Sequence, residues 1–196
     1  WERFLDRIFN SSKDMIRFVQ KAIGYSLTGS TREQCLFILY GTGQNGKSTF
    51  ITTINNIFGD YSQQTPSQTL MIKKNTGSNA TNDLAKLKGA RFVSSVETEE
   101  GGHFAEVLVK QLTGDDVISA RFLFQEFFEF RPECKIFIAT NHKPAIKNTD
   151  FAIWRRIRLV PFTVTIPEEE RDDCLLEKLQ AEKEGILKWA VDGCQL

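Results

Sequence analysis

The sequence has few of the residues from which metal sites and disulfide frameworks are built, with four cysteines and two histidines in 196 residues. Cys35, Cys134, Cys174 and Cys194 form no CxxC pair, and neither His103 nor His142 stands beside them at ligand spacing. This excludes the zinc-ribbon and zinc-finger patterns and leaves ordinary reduced thiols as the reading. No apolar run reaches bilayer length, and no charged start leads into an apolar block. Neither a membrane span nor a secretory leader is therefore expected, and the chain is read as cytoplasmic. An excess of one charge is lacking too: Lys plus Arg and Asp plus Glu number 25 each. No global positive field exists to hold nucleic acid, so any such contact has to be local. The first residue is Trp1 rather than Met, which reads as a processed chain or a piece of a longer polypeptide.

What is present is the balance of a soluble globular protein, 41% hydrophobic and 26% charged, in a chain long enough for one sizeable core. Residues 1–29 carry apolar positions at helical spacing and read as a helical segment of two helices, with Ser11 and Ser12 as cap candidates between them. Residues 30–165 read as the main unit and 166–196 as a carboxyl-terminal helical segment. The continuous apolar runs Cys35–Tyr40, Arg91–Val96, Lys135–Ala139 and Ile157–Phe162 are of the kind that buried parallel strands show. A helix over Phe104–Leu112 and a hairpin over Val117–Phe130 lie between the second and third. The polar stretch Tyr61–Asn82 reads as a surface connection, and Glu168–Glu170 as a helix start. The expected fold is α/β: a parallel sheet flanked by helices, with a β-hairpin insertion and helical ends.

The segment Gly41-Thr42-Gly43-Gln44-Asn45-Gly46-Lys47-Ser48, followed by Thr49, satisfies GxxxxGK[ST] between a strand and a helix and defines a P-loop. Its glycines let successive N–H groups turn toward a phosphate chain, Lys47 reaches the outer phosphates, and the Ser48 hydroxyl suits Mg²⁺. ATP and Mg²⁺ are the cofactors this implies. Hydrolysis also needs an acid at the end of another strand. Glu97 follows the second apolar run, to act on Mg²⁺ through water, with Glu99 or Glu100 as the base. Asn141, at the tip of the third run, can sense the terminal phosphate or orient water. Arg155 and Arg156 before the fourth run read either as surface charge or as an arginine finger for a neighbouring subunit. Phe122, Phe124, Phe127, Phe128 and Phe130 read as core, with base stacking as the alternative.

In this order the motifs resemble the superfamily 3 helicases, specifically the helicase region of phage and plasmid primases related to the poxvirus primase-helicase. The resemblance runs from Leu36 to Phe162. It rests on Gly41–Ser48, on Glu97-Thr98-Glu99-Glu100, and on Lys110-Gln-Leu-Thr-Gly114-Asp115 with Ala120-Arg121 and Phe130-Arg131-Pro132. Ile136–Asn141 and Trp154-Arg155-Arg156 through Phe162 complete it. The resemblance implies an AAA+ ATPase, a hexameric ring hydrolysing ATP between subunits while moving on single-stranded or forked DNA. It implies Arg156 as the finger with Arg155 as rival, and Lys110 either facing the nucleotide across the subunit boundary or supporting the loop. It places DNA contact at the hairpin, where Arg121, Phe124 and Gln125 are the candidates. A primase region on the same polypeptide is a further implication. The expected function is an ATP-dependent helicase or translocase in replication of a phage, plasmid or mobile element. The alternatives are an ATP-switched loading assembly without processive unwinding and a P-loop small-molecule kinase, for which Asn141 and Arg156 would have no purpose.

Overall fold

The computed structural model describes residues 1–72, 79–96, 104–141 and 151–196. Helices α1 (Glu2–Ile8) and α2 (Lys13–Leu27) precede β1 (Leu36–Tyr40). Helix α3 (Lys47–Phe58), strand β2 (Ser62–Gln64) and α4 (Asn79–Ala85) lead to β3 (Phe92–Val96). Helix α5 (Glu106–Thr113) and the hairpin β4 (Ile118–Ala120) and β5 (Phe128–Phe130) lead to β6 (Lys135–Thr140). A short α6 (Phe151–Trp154), β7 (Ile157–Pro161), α7 (Leu175–Ala181) and α8 (Lys183–Cys194) follow.

Five strands form one parallel sheet in the order β2-β3-β6-β1-β7. Because alternate side chains leave opposite faces, a strand apolar at every position has to be covered on both. Phe37, Leu39, Phe92, Phe137 and Val160 enter a core shared with α1, α2, α3, α7 and α8. Leu36, Ile38, Val93, Ile136 and Ile138 enter another, shared with α4, α5, α6 and the hairpin. On the first face a row of rings crosses the strands, Phe37 on Phe137 at 4.5 Å and Phe137 on Phe92 at 4.7 Å between centroids. The terminal helices thus belong to the same core as the sheet. None of the described helices is long and apolar enough to cross a membrane.

The stretch expected to wind over the surface contributes more than that. It supplies the edge strand β2 and helix α4, and buries Leu70 beside the Met71–Phe104 bridge. Polar composition hid these elements, because an edge strand and an amphipathic turn need few apolar residues. Glu168–Glu170 forms a single 3₁₀ turn rather than a helix start, since Arg171 is extended and α7 begins only at Leu175. Ser12 is the residue that caps α2, its hydroxyl accepting from the Met15 amide at 3.4 Å.

Two contacts fix α2. Its Gly24 meets α8 so closely that an added Cβ would lie 2.2 Å from the Cys194 nitrogen, and a Cβ on Gly193 would lie 2.2 Å from the Gln20 carbonyl oxygen. Its carboxyl end, which has no basic residue in the last turn, is held by side chains from the strand starts. Arg91 donates to the Leu27 carbonyl at 2.7 Å, and the buried Lys135 ammonium donates to the carbonyls of Thr28 and of Glu133 while lying 4.5 Å from the Tyr25 ring. Burial outweighs these partners and lowers the Lys135 pKa to about 8, while burial raises the neighbouring Cys134 to about 11.

Gly24→Ala is expected to cost several kcal/mol, about 2–4 by analogy with forced overpacking. Gly185→Ala, in the same bundle with nothing within 4 Å of the added methyl, should instead stabilise by about 0.5–1 kcal/mol; paired urea titrations check both. A second expectation concerns pH. From about pH 8 upward the unfolded chain keeps a Lys135 proton that the folded chain has released, so stability rises. Above pH 9 the unfolded chain loses the Cys134 proton that the folded chain keeps, which opposes the rise. Unfolding midpoints should therefore climb between pH 8 and 9, by about 1 kcal/mol, then level off. Lys135→Met should abolish the climb.

Candidate functional site

β1 lies between β6 and β7, so the chain leaving its carboxyl end passes through the crevice where the winding direction reverses, the usual ligand position in such sheets. The Gly41–Gly46 loop occupies it. Gly41 donates its amide to the Thr140 carbonyl at 3.2 Å, and the Phe162 amide donates to Tyr40 at 2.7 Å, tying the loop base to the ends of β6 and β7. Gly43 (φ 109°), Gln44 (φ 49°) and Gly46 (φ 82°) all adopt positive φ, a winding that turns backbone amides toward one concave side. Gly46, which has no side chain to cap with, is also the N-cap of α3. The helix dipole therefore adds to an anion-favouring field. A Cβ on Gly46 would lie 2.6 Å from Ile8 of α1, so the loop has no room for any other residue there. Helix α1 is itself seated by Trp1 against Phe50 at 5.8 Å and Phe9 against Phe162 at 5.0 Å.

Lys47 is 6% exposed. Its ammonium donates to the Gly41 carbonyl, to Asn45 Oδ1 at 3.1 Å and to Asn141 Oδ1 at 3.4 Å. Burial lowers its pKa, a cost that a phosphate partner would offset. Asn141, 94 residues away in sequence, is thus brought to the loop at the end of β6. Thr42, Gln44 and Ser48 are exposed and Thr49 is half-buried. Ser48, in the first turn of α3, presents a hydroxyl of the kind hard divalent cations take. Glu97, Glu99 and Glu100 lie outside the described residues. Val96, just before Glu97, ends β3, two strands from β1, or about 10 Å across the sheet.

Arg155 and Arg156 stand at the opposite end of the sheet, just before β7, where the Leu36 amide at the start of β1 donates to the Arg156 carbonyl. A five-residue strand separates that end from the loop, about 16 Å, so neither serves the loop of its own chain. They also differ from each other. Arg156 is 7% exposed, and its guanidinium donates to Thr113 Oγ1 at 3.2 Å, the Ala152 carbonyl at 2.6 Å and Gln34 Oε1 at 3.3 Å. It braces α5, α6 and the chain entering β1. Arg155 is exposed and donates to the same Gln34 oxygen at 2.6 Å. Lys110 sits half-buried on α5.

The hairpin corrects the reading of Phe124 and Phe127 as core, while Phe130 enters the core and Phe122 and Phe128 pack against it. Only Phe130 is buried; Phe122 and Phe128 are half-buried, Phe127 is 58% exposed and Phe124 fully exposed. Phe124 has φ 63° in the turn that the Gln125 amide closes by donating to Phe122, and a side chain there has no core within reach. Arg121 lies over the Phe127 ring at 4.7 Å. Arg121, Phe124 and Gln125 are all exposed around this tip.

One contributor had no signal in the sequence. The chain after β7 returns over the loop, where the Ile166 amide donates to the Gln44 carbonyl at 2.8 Å and Arg171 donates to Gln44 Oε1 at 2.6 Å. With α1 it encloses a cleft of about 530 Å³ reaching Gly46 and Thr49, walled by Phe4, Ile166, Leu175 and Leu176. Residues 127 apart meet here, and no motif or periodicity announces such a contact.

The chain resembles solved structures of the NrS-1 C terminal region, one with a TM-score of 0.73 at 17% identity over 97% of this chain and 44% of that one. Among viral proteins it is 31% identical over 159 residues to "Putative helicase L207/L206" of Acanthamoeba polyphaga mimivirus. The match covers 81% of this chain and 16% of the relative. It is 28% identical over 146 residues to "Primase D5" of Fowlpox virus, covering 73% of this chain and 18% of the relative. The chain therefore spans less than a fifth of the length of these relatives. The chain is thus similar in sequence to part of viral proteins named as a putative helicase and a primase, and in fold to the NrS-1 C terminal region. Residues 39–156 match the family model described as "Family of unknown function (DUF5906)", and the chain belongs to that family.

Arg156→Ala should lower stability by about 2–4 kcal/mol, because it removes a buried, multiply bonded guanidinium. Arg155→Ala should stay within about 0.5 kcal/mol of wild type. Thermal and urea unfolding of the two variants side by side is the check.

Proposed function

We propose that this chain is the motor domain of a replicative helicase, binding and hydrolysing ATP between copies of itself while gripping single-stranded DNA. The observation that carries the proposal is the anion cradle of Gly43, Gln44 and Gly46 at the start of α3, with Lys47 and Asn141 converging on it. The triphosphate would occupy the cradle and the nucleoside the adjoining cleft. Lys47 would leave Asn45 and Asn141 for the outer phosphates. Mg²⁺, held by Ser48 and through water by Glu97, would supply neutralisation of the phosphate charge. Asn141 would orient the attacking water and Glu99 or Glu100 would take its proton; as the water oxygen bonds to the γ-phosphorus, the bond to the β–γ bridging oxygen would break, releasing inorganic phosphate and ADP, whose new charge has to be stabilised. Arg155 and Arg156 stand at the far end of their own sheet, so either would give that last stabilisation only to the loop of another copy, whereas Arg171 of the same chain already reaches Gln44. The exposed Arg155 suits the role better than Arg156, which is committed to its own chain.

The AAA+ ring, by resemblance a hexamer, supplies the neighbour. Arg121, Phe124 and Gln125 at the hairpin tip would face DNA, an exposed ring offering a base the stacking surface that a balanced net charge does not. The names of the viral relatives, a helicase and a primase, support a place in replication and a longer polypeptide with primase parts. A second reading, an ATP-switched assembly that loads onto DNA without processive movement, has the same site and is favoured by the small hairpin tip with Arg121 stacked on its own Phe127. Strand displacement separates the two.

ATP hydrolysis should rise more than in proportion to protein concentration and be stimulated by single-stranded DNA. Lys47→Ala should lose binding and turnover. Arg155→Ala should keep ATP binding and lose turnover by about 10³-fold, the usual worth of such a finger. Hydrolysis that is independent of concentration, indifferent to DNA and intact in Arg155→Ala would instead indicate a self-contained enzyme.

A further inference from the structure

Asn45 is the one polar side chain of the loop that faces inward, 3% exposed. Both ends of its amide are engaged. Nδ2 donates to the Phe162 carbonyl at 3.1 Å, 117 residues away. Oδ1 accepts from the Lys47 ammonium at 3.1 Å and, at 3.5 Å, from the Lys47 amide. The amide is packed without slack: a Cβ on Gly41 would stand 2.5 Å from Asn45 Nδ2 and 2.1 Å from the Phe162 oxygen. The glycine of the loop base is therefore the space into which Asn45 fits.

Such a side chain does two things at once. It fastens the loop to the end of β7, and it gives Lys47 a neutral acceptor that holds the ammonium beside the cradle without competing with an anion. Only a group that donates at one end and accepts at the other, at this length, satisfies both partners. A carboxylate would lose the bond to Phe162, face that carbonyl with like charge, and bind Lys47 as an ion pair.

We propose that Asn45 is a positioning residue for Lys47: its amide keeps the ammonium on a weak, neutral partner from which a triphosphate can take it, while anchoring the loop to β7. The inference rests on the nucleotide reading above and deepens it. On this reading Asn45 governs nucleotide affinity through Lys47 and without touching the nucleotide.

The test is binding of a fluorescent ATP analogue by the whole chain, wild type, Asn45→Ala and Asn45→Asp, with melting temperatures measured without nucleotide. Asn45→Ala should weaken binding about ten-fold, the worth of one or two lost hydrogen bonds. Asn45→Asp, though nearer in size and shape to the original, should weaken it about a hundred-fold or more, because the carboxylate keeps Lys47 and repels phosphate. A purely structural role predicts the reverse order, with affinity following melting temperature in both variants, and that result would overturn the proposal. So would Asn45→Asp binding within three-fold of wild type, taking three-fold as roughly 0.6 kcal/mol. A wild type that binds no triphosphate overturns the nucleotide reading itself, and this inference with it; wild-type binding with the order reversed overturns this inference alone.

Discussion

A parallel sheet cannot leave either face in water, and the rest of this molecule follows from that. Leu36 to Leu39 and Ile136 to Ile138 are buried on both sides, so each strand needs helices above and below. α5 and its neighbours cover one face; the first two and last two helices, with α3, cover the other. Burial at about 25 cal/mol per Å² of apolar surface is the dominant favourable term, and here it recruits the whole length of the chain. Crossovers between parallel strands carry the chain from one end of the sheet to the other. The connection after β1 is therefore left at the carboxyl end, bordered by the ends of β6 and β7.

That position gives the loop its chemistry. Positive φ at three loop residues aims amides inward, α3 adds its dipole, and the neighbouring strand ends deliver Asn141 and the Phe162 carbonyl. The geometry depends on elements that share no sequence proximity. Lys47 is held by Gly41, Asn45 and Asn141, and the loop is strapped from outside by Ile166 and Arg171. Burying the Lys47 ammonium among neutral acceptors leaves it a cation with an unmet demand for negative charge.

The strands were legible because fully buried parallel strands are written as unbroken apolar runs, and β1, β3, β6 and β7 appear within a residue or two of those runs. The loop was legible because its conformation requires glycine at defined spacing. β2 and α4 were not, since an edge strand of Ser62, Gln63 and Gln64 carries no apolar signal. The difference between Arg155 and Arg156 could not be read either: adjacent identical residues acquire opposite environments only once Thr113 and Ala152 have been brought to one of them, Gln34 reaching both. Similarly, the exposure of Phe124 is set by a backbone turn at positive φ and not by the hydrophobicity of its ring.

The close seating of α2 on α8 has a consequence for the order in which the protein is made. Gln20 donates to the Trp189 carbonyl across 169 residues, and the glycine contacts beside it are equally distant in sequence. Non-local pairings of this kind are slow to form and leave apolar surface uncovered until they do. During synthesis, α2 and one face of the sheet emerge long before the helix that completes their cover. Through that interval Phe37, Phe137 and Phe92 lack part of their shield. A chain of this design leaves that apolar face uncovered for longer during synthesis than a locally paired helical bundle does.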